Sequence, residues 1–174
     1  MDVFEAIRTR RSIRKYSPEP IPSEKLDMIL EAARLAPSAG NRQPWRFIVV
    51  QNADRKKKVA QIADNQTFLS DASAIVVATG DPDASTRWHE KDSMIALEHM
   101  VLAATALGYG TCWIGAFDED AVKRLLKIPV KMKVVALLPI GIPAETSAPR
   151  SRKELSEIFF KEQWKTPWPV HKSK

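Results

Sequence analysis

Residues 74–79 read Ala-Ile-Val-Val-Ala-Thr, and this apolar run decides the fold class. β-Branched residues fill its centre and no charge interrupts it, so the pattern predicts a buried strand. Two further runs rich in β-branched and aromatic residues, 45–50 and 134–140, predict strands as well. A short strand is expected over residues 111–116, at an edge. These four segments supply the β part of the predicted fold.

Apolar residues at helical spacing lie between the strands. The clearest stripe is Met94, Leu97, Val101 and Ala104, and its helix is expected to end at Gly108. The other predicted helices cover residues 2–9, a stretch from an N-cap at Ser23 to Ala36, residues 56–64, a segment capped by Asp118, and one or two turns at 155–159. This mixture predicts one α+β domain over residues 1–174, with a tail from about residue 160.

The composition fits a folded domain with an excess of positive charge. The chain has 174 residues, of which 44% are hydrophobic, and 27 Lys and Arg against 21 Asp and Glu give a net charge of +6. Disorder is excluded, because it requires low hydrophobicity together with high net charge. A basic protein can bind nucleic acid, an anionic membrane surface or a phosphorylated small molecule, and the positions of the charges must decide.

Cysteine and histidine usage limits the possible chemistry. Cys112 is the only cysteine, which excludes an intrachain disulfide and a multi-cysteine metal site. No basic residue adjoins it in sequence, so we expect a buried, unreactive thiol. The histidines lie too far apart for a local metal motif, and His99, within the long predicted helix, is expected to be packed or capping and not catalytic. No metal site is predicted.

The location is predicted from two absences in the sequence. The first residues lack the basic and apolar regions of a signal peptide. No apolar run reaches the roughly 18–20 residues that a bilayer span requires. We therefore expect a cytoplasmic protein without a membrane partner.

Four clusters are candidates for function. Residues 10–14 (RRSIR) concentrate guanidinium groups, whose planar forks suit phosphate, although a solvated basic turn is an equal alternative. Residues 37–43 form a polar loop that could read the edge of a heteroaromatic ring or be an ordinary connection. Residues 108–115 are glycine-rich and could pass close to a flat ligand, or simply end a helix. Residues 150–152 (RSR) are a second basic cluster.

A nucleic-acid-binding module is the alternative from a different class. Residues 55–58 (RKKK) could contact phosphates, but the only nearby aromatic residue that could stack on a base is Phe68. The solvated start of a helix is the favoured interpretation of this run. Sequence signatures of serine hydrolases, P-loop NTPases and Rossmann dinucleotide sites do not occur.

Taken together and in this order, the four clusters resemble the nitroreductase family of FMN-dependent oxidoreductases. The resemblance extends from residues 4–7 (FEAI) to the helix near Leu155 and includes the stretch 36–45 (APSAGNRQPW). It implies an α/β/α sandwich with a central, mainly antiparallel sheet, assembled as an intertwined homodimer with FMN at the subunit interface. The C-terminal tail, about 160–174, would then wrap around the partner subunit.

The resemblance also implies where FMN binds. The residues implied at its phosphate and ribityl chain are Arg10, Arg11, Ser12, Arg14, Arg150 and Arg152. Arg14 would also lie near the N1–C2=O edge of the flavin, where negative charge collects on reduction. Lys153 stands where many relatives have a proline, which leaves open which of Arg150 and Arg152 contacts the phosphate.

A second group of residues is implied at the flavin ring. These residues are Pro37, Ser38, Ala39, Asn41, Gln43, Ile114 and Gly115. The loop residues would approach from the other subunit, whereas Ile114 and Gly115 would lie at the isoalloxazine with a backbone N–H aimed at N5. Trp113 stands beside this contact and is expected to face the core.

The function implied by the resemblance is hydride transfer from NAD(P)H, through N5 of FMN, to an electron-poor acceptor of the nitroaromatic or quinone type by a ping-pong mechanism. Because the cofactor carries the redox chemistry, no catalytic side-chain acid or base is needed. The alternative within flavin chemistry is a specialised relative such as a dehalogenase or a flavin-fragmenting enzyme. The basic clusters are thus interpreted as a cofactor site and not as a nucleic-acid surface.

Overall fold

The computed structural model describes residues 1–169, and its centre is an antiparallel sheet. The strands are β1 (Trp45–Val50), β2 (Ala74–Gly80), β3 (Gly110–Thr111) and β4 (Lys133–Gly141). Their order in the sheet is β1-β2-β4-β3, so β2 and β4 are central. The apolar run at 74–79 is therefore confirmed as a buried strand, with every residue of β2 buried.

Alternation along β2 divides the core into two layers. Ala74, Val76 and Ala78 pack with apolar residues of the segments 26–36 and 96–104, whereas Ile75 and Val77 pack with apolar residues of the segments 59–63 and 122–128. Successive side chains of a strand point to opposite faces, so a continuous apolar run serves a sheet covered on both sides. The α+β class and the α/β/α sandwich are confirmed.

Helices cover both faces of the sheet. Within residues 1–169 the α-helices are α1 (Val3–Thr9), α2 (Ser23–Arg34), α3 (Ala53–Ile62), α4 (His89–Ala106), α5 (Glu119–Leu126) and α6 (Leu155–Ile158). Short 3-10 helices span Ala39–Asn41 and Thr67–Asp71. The predicted end of α4 is confirmed, because Gly108 takes a φ of +84° just beyond the helix.

Two helix predictions differ from the structure at their starts, and one differs in which residues are buried. Ser23 is not an N-cap: Pro22 holds that position, and its carbonyl accepts hydrogen bonds from the N–H groups of Lys25 and Leu26. The helix predicted at 56–64 begins earlier, because the side chain of Asn52 accepts a hydrogen bond from the Arg55 N–H and caps the first turn. Met94 is 45% exposed, so it lies outside the buried stripe of α4.

The prediction of a strand over 111–116 is wrong in its length. Only Gly110 and Thr111 pair with β4 as a ladder, opposite Gly141 and Ile140. The chain then leaves the ladder and returns at Ile114, which exchanges both backbone hydrogen bonds with Leu137 at 3.0 Å. Apolar composition is shared by the buried loop and by a strand, and so it could not locate this break.

The basic segment 10–17 is attached to the β3 edge of the sheet. The Ile13 N–H donates to the Thr111 carbonyl at 2.9 Å, and Ser12 and Thr111 form a parallel bridge. Further along, the Ser17 N–H donates to the Ile142 carbonyl at 2.9 Å. Backbone pairing thus fixes this proline-flanked segment in an extended form, although it belongs to no helix or strand.

We predict that Gly110→Ala disrupts this attachment. A Cβ at position 110 would lie 2.7 Å from Ile13 Cγ1 and 2.8 Å from Ile13 Cβ, so the basic segment would have to move away from β3. The free energy of unfolding is expected to fall by about 1–3 kcal/mol, the usual cost of overpacking. Urea denaturation followed by circular dichroism measures it.

The matched control is Gly115→Ala, because no atom lies within 4 Å of a Cβ built at that position. Its unfolding midpoint should stay close to that of the wild-type protein. Equal destabilisation by the two substitutions would contradict the proposed role of the tight contact at Gly110.

Candidate functional site

Residues 10–14 are extended, so their side chains point alternately to opposite sides of the segment. Because side chains alternate along extended backbone, Arg10, Ser12 and Arg14 share one side and Arg11 and Ile13 share the other. Arg10, Ser12 and Arg14 line one cavity, whereas Arg11 and Ile13 line a neighbouring one. Ile13 is buried there and anchors the segment.

The first and second basic clusters meet in one cavity. It has a volume of about 480 Å³ and is lined by Arg10, Ser12, Arg14, Ser147, Ala148, Pro149, Arg150 and Arg152. Within residues 1–169, none of the four guanidinium groups has a carboxylate oxygen within 4.0 Å. Four unpaired cations and a hydroxyl around one cavity form a site for a multiply charged anion such as a phosphate ester.

Two arginines of the clusters use their guanidinium groups locally. Arg11 donates from Nη1 to the carbonyls of Arg8, at 2.9 Å, and Arg10, at 2.7 Å, which satisfies the end of α1. Arg152 donates from Nη1 to the carbonyls of Arg150 and Ser151. Arg11 therefore faces away from the cavity, while Arg152 lines it with its remaining donors free for a ligand.

Glu145 joins the two clusters through the backbone. The Arg14 N–H donates to Glu145 Oε1 at 2.6 Å, and the Ala144 N–H donates to the Lys15 carbonyl at 2.9 Å. These bonds hold the chain after β4 against the first basic segment. The residues that follow, 147–152, are thereby brought to the cavity.

Cys112 lies beneath this cavity and not in it. Burial raises the pKa of its thiol, and the nearby guanidinium of Arg14 only partly offsets this effect. The thiol is 2% exposed. The prediction of a buried cysteine is confirmed. A protonated thiol without access to solvent is a poor nucleophile, so the prediction that it is unreactive stands.

The loop of residues 37–43, between α2 and β1, is held in a strained form. Gly40, Asn41 and Gln43 have φ angles of +57°, +53° and +48°. Left-handed backbone at non-glycine residues costs about 1 kcal/mol or more each and persists only where the surroundings enforce it. The Ser38 hydroxyl accepts a hydrogen bond from the Gln43 N–H at 2.9 Å and so closes the loop.

A buried carboxylate fixes the same loop to α4. Asp92 is 1% exposed, and its two oxygens lie 3.2 and 3.3 Å from the Ala39 nitrogen, whose N–H donates to them. Pro37 and Asn41 remain exposed beside it. None of the residues 37–43 lines the arginine cavity within the described chain. One copy of the chain thus does not bring the two predicted groups together.

The residues predicted at N5 of the flavin differ in whether their backbone N–H is available to a ligand. The Ile114 N–H already donates to the Leu137 carbonyl, so it has no capacity for a ligand. Gly115 is exposed, and its N–H has no acceptor among residues 1–169. Trp113 packs against the core, as predicted, and its Nε1–H donates to Glu98 Oε2 at 3.2 Å.

Sequence reasoning missed several residues of the site. Ser147, Ala148 and Pro149 line the arginine cavity, and their only signal was their position before Arg150. Glu145 and Asp92 position the two polar segments, but a single acidic residue near a helix or strand end carries no distinguishing pattern. His99 packs as predicted, with Nδ1 3.2 Å from the Ala32 carbonyl oxygen.

Comparison with known proteins identifies the class to which this fold and site belong. The nitroreductase family model matches residues 7–68 and 63–142. The chain therefore belongs to the nitroreductase family. Such proteins are NAD(P)H-dependent flavin oxidoreductases that use FMN, and this chain is an enzyme of that class, with FMN as cofactor and NAD(P)H as electron donor.

Individual relatives are similar over nearly the whole chain. A Methanothermobacter thermautotrophicus protein, provisionally named an NADH dehydrogenase/NAD(P)H nitroreductase, is 36% identical over 170 residues, which cover 94% of this chain and 88% of that protein. The Bacillus subtilis FMN reductase [NAD(P)H] is 32% identical, covering 94% and 74%. The crystal structure of a nitroreductase family protein from Clostridium novyi NT superposes with a TM-score of 0.79 at 35% identity, covering 97% of each chain.

Two further observations concern the part of the chain that the structure describes. No helix in residues 1–169 is long and apolar enough to cross a membrane. The same residues contain no group of three or more His, Cys, Asp and Glu side chains arranged to hold a metal ion.

We predict that Asp92→Ala releases the loop of residues 37–43. The Ala39 N–H would lose its acceptor inside a mostly buried environment, at a cost of about 1–3 kcal/mol in the free energy of unfolding. Hydrogen exchange of the Ala39 amide should therefore accelerate. Amide exchange measured by NMR reports it directly.

Two further variants make this test specific. Asp92→Asn keeps an oxygen acceptor at the same position and should keep the amide protected. Asp27→Ala removes an exposed aspartate on α2 and should leave exchange at Ala39 unchanged. Unaltered protection of Ala39 in Asp92→Ala would rule out the anchoring role.

Proposed function

We propose that the arginine cavity holds the phosphate end of FMN. The observation that carries this assignment is the meeting of four unpaired guanidinium groups and the Ser12 hydroxyl around one cavity. A phosphate ester with two negative charges matches such a donor set in charge and in hydrogen-bond geometry. Arg10, Ser12, Arg14, Arg150 and Arg152 are the proposed ligands, and Arg11 supports them by bonding the carbonyls at the end of α1.

The proposed contacts of the flavin ring come from backbone and polar side chains. The free N–H of Gly115 is the donor that we assign to N5, with Ile114 supporting it from the sheet. Pro37, Ser38, Ala39, Asn41 and Gln43 are the residues we propose to approach the ring from a second copy of the chain. Their loop is already fixed by Ser38 and Asp92, so little order has to be gained on binding.

FMN, when bound, would supply the chemistry of hydride transfer between NAD(P)H and an acceptor. The protein's part is to bind the cofactor, orient it and polarise it. The positive charge of Arg14 at the cavity wall favours negative charge near it, and preorganised charge of this kind costs no rearrangement during the reaction. The exposed surroundings of Gly115 leave room for a flat molecule.

We propose a ping-pong reaction with nitroaromatic or quinone acceptors. The connection between β2 and α4 covers only residues 81–88, which is too short to supply an additional helix as a lid that would restrict the acceptor. Donor and acceptor would use one face of the flavin in turn, and double-reciprocal plots with NADH and a quinone would then be parallel.

We also propose that the protein acts in the cytoplasm.

We further propose that the chain, as one domain with a C-terminal arm, works as a homodimer. Large apolar side chains stand exposed on α1 and on the arm from α6 onward. They include Val3, Phe4, Ile7, Leu155, Ile158, Phe159, Trp164 and Trp168. Groups of exposed large apolar side chains are typical of a protein interface. A second copy would also bring its loop 37–43 toward the arginine cavity, which one copy does not do.

The arm has some internal structure. The rings of Phe160 and Trp164 lie with centroids 4.8 Å apart, and Phe160 forms a backbone bridge with Pro167. Phe4 is nevertheless 77% and Trp164 79% exposed. The predicted end of the arm, beyond residue 169, lies outside the described residues.

We predict that the purified protein shows a flavin spectrum and that Arg14→Ala weakens FMN binding about tenfold or more. The loss of one charge-assisted phosphate contact accounts for that factor. Because Arg14 binds Glu145 through its backbone N–H, the substitution leaves the segment in place. Fluorescence titration of flavin-free protein with FMN measures the dissociation constant.

Lys57→Ala is the charge-matched control, since Lys57 is exposed on α3 away from the cavity. It should bind FMN like the wild-type protein. Equal weakening by both substitutions would refute the assigned site. A colourless protein that does not bind FMN but retards DNA in a gel would refute the flavin function and support the nucleic-acid alternative.

We predict that Phe4→Glu converts the dimer to monomer. A charge in the centre of the α1 apolar face would be buried without a partner in the assembly, which is strongly unfavourable. Sedimentation velocity at micromolar concentration distinguishes the two states. Val130→Glu is the control, because Val130 is 88% exposed on the loop after α5. A wild-type monomer, or a dimer unaffected by Phe4→Glu, would contradict the proposed interface.

A further inference from the structure

A second polar cavity lies where β2 connects to α4. It has a volume of about 480 Å³ and is formed by residues 83–88 together with Arg42. Three kinds of group face it: the guanidiniums of Arg42 and Arg87, the hydroxyl-bearing Ser85 and Thr86, and the indole of Trp88. None of these residues belongs to the arginine cavity that we assign to FMN.

The charge around this cavity is positive. Neither Arg42 nor Arg87 has a carboxylate oxygen within 4.0 Å in the described part of the chain. The one carboxylate in the lining, Asp83, is paired with Lys131 Nζ at 2.6 Å. Lys91 adds a further cation, with its Nζ 5.0 Å from the centre of the Trp88 ring. Arg42 Nη1 donates to the Ala39 carbonyl at 3.0 Å, which leaves its other donors for a ligand. The cavity therefore offers the guanidinium of Arg87 and the remaining donors of Arg42 beside an aromatic face.

Hydrogen bonds hold the segment that forms the wall of this cavity in place without a ligand. The Asp83 N–H donates to Asp81 Oδ1 at 3.0 Å, and the Ser85 N–H donates to the Asp81 carbonyl at 3.1 Å. The His89 N–H donates in turn to the Ser85 carbonyl at 3.1 Å. At the base, Gly80 packs so tightly that a Cβ there would lie 2.8 Å from the His89 carbonyl oxygen. A preformed wall reduces the ordering cost of binding.

We propose that this cavity binds the pyrophosphate and adenosine half of NAD(P)H. Guanidinium forks match phosphate oxygens, and an indole that is 47% exposed offers a stacking face to adenine. Arg42 belongs to the loop whose Asn41 and Gln43 we assign to the flavin, so one loop would contact both the cofactor and the donor. The identity of the ligand as NAD(P)H rests on the proposed function. The binding site itself can be tested independently of that function.

The first test compares two donors in Arg87→Ala. NADH carries the pyrophosphate, whereas 1-benzyl-1,4-dihydronicotinamide carries only the hydride-donating ring. We expect kcat/KM for NADH to fall about tenfold or more, and kcat/KM for the truncated donor and for the quinone acceptor to stay within twofold of wild type. Lys58→Ala, which removes an exposed cation on α3, should change none of them.

The second test measures binding without any reaction. Isothermal titration with ADP-ribose reports the pyrophosphate and adenosine half alone, and Arg87→Ala and Trp88→Ala should each weaken its binding severalfold or more. Testing NADPH beside NADH distinguishes a site for the 2′-phosphate from a site for the pyrophosphate. The proposed contacts are to the pyrophosphate, which both donors carry. A loss of kcat/KM confined to NADPH would therefore overturn the proposal.

The outcomes separate this proposal from the flavin function. Equal losses with NADH and the truncated donor, a loss confined to the acceptor, or unchanged binding of ADP-ribose would each overturn the proposed donor cavity. A protein without flavin would overturn the proposed function, yet titration with ADP-ribose would still decide whether the cavity binds the nucleotide.

Discussion

The attachment of residues 10–17 to the β3 edge is the constraint on which the arginine cavity depends. The hydrogen bonds from Ile13 to Thr111 and from Ser17 to Ile142 hold this stretch extended, and extended backbone places Arg10, Ser12 and Arg14 on one side. Glu145 then joins the chain after β4 to the same segment through the Arg14 N–H. This pairing brings like charges together although no acidic residue among residues 1–169 lines the cavity.

The net charge of +6 indicates a kind of ligand only when the positions of the charges in the fold are known. Composition cannot tell a nucleic-acid surface from a cofactor site, since both need unpaired cations. The fold concentrates four of the guanidiniums around one concave space, whereas the lysines of α3 are spread over a helix surface with Lys56 bonded to the Ala72 carbonyl. Concave and concentrated charge suits a small phosphate ester, and the family to which the chain belongs uses one in FMN.

How far the sequence predicts this protein depends on whether each signal is local. The buried strand at 74–79 and the cap at Asp118, whose side chain accepts from the Ala121 N–H, were predictable from a few consecutive residues. The break between Thr111 and Ile114 was not, because burial and strand pairing favour the same residue types. Asp92 could not be predicted either: acidic residues are common in the first turn of a helix, and only the tertiary structure buries this one against Ala39.

The two cavities differ in a way that suits their proposed occupants. A cofactor that stays bound through many reactions needs a slow dissociation rate, and a donor that must leave before the acceptor enters needs a fast one. Four guanidiniums and a hydroxyl surround the first cavity, but only two guanidiniums line the second. Each charge-assisted contact contributes about 1.5–3 kcal/mol, so the smaller set favours the weaker and exchangeable binding that a ping-pong reaction requires of its donor.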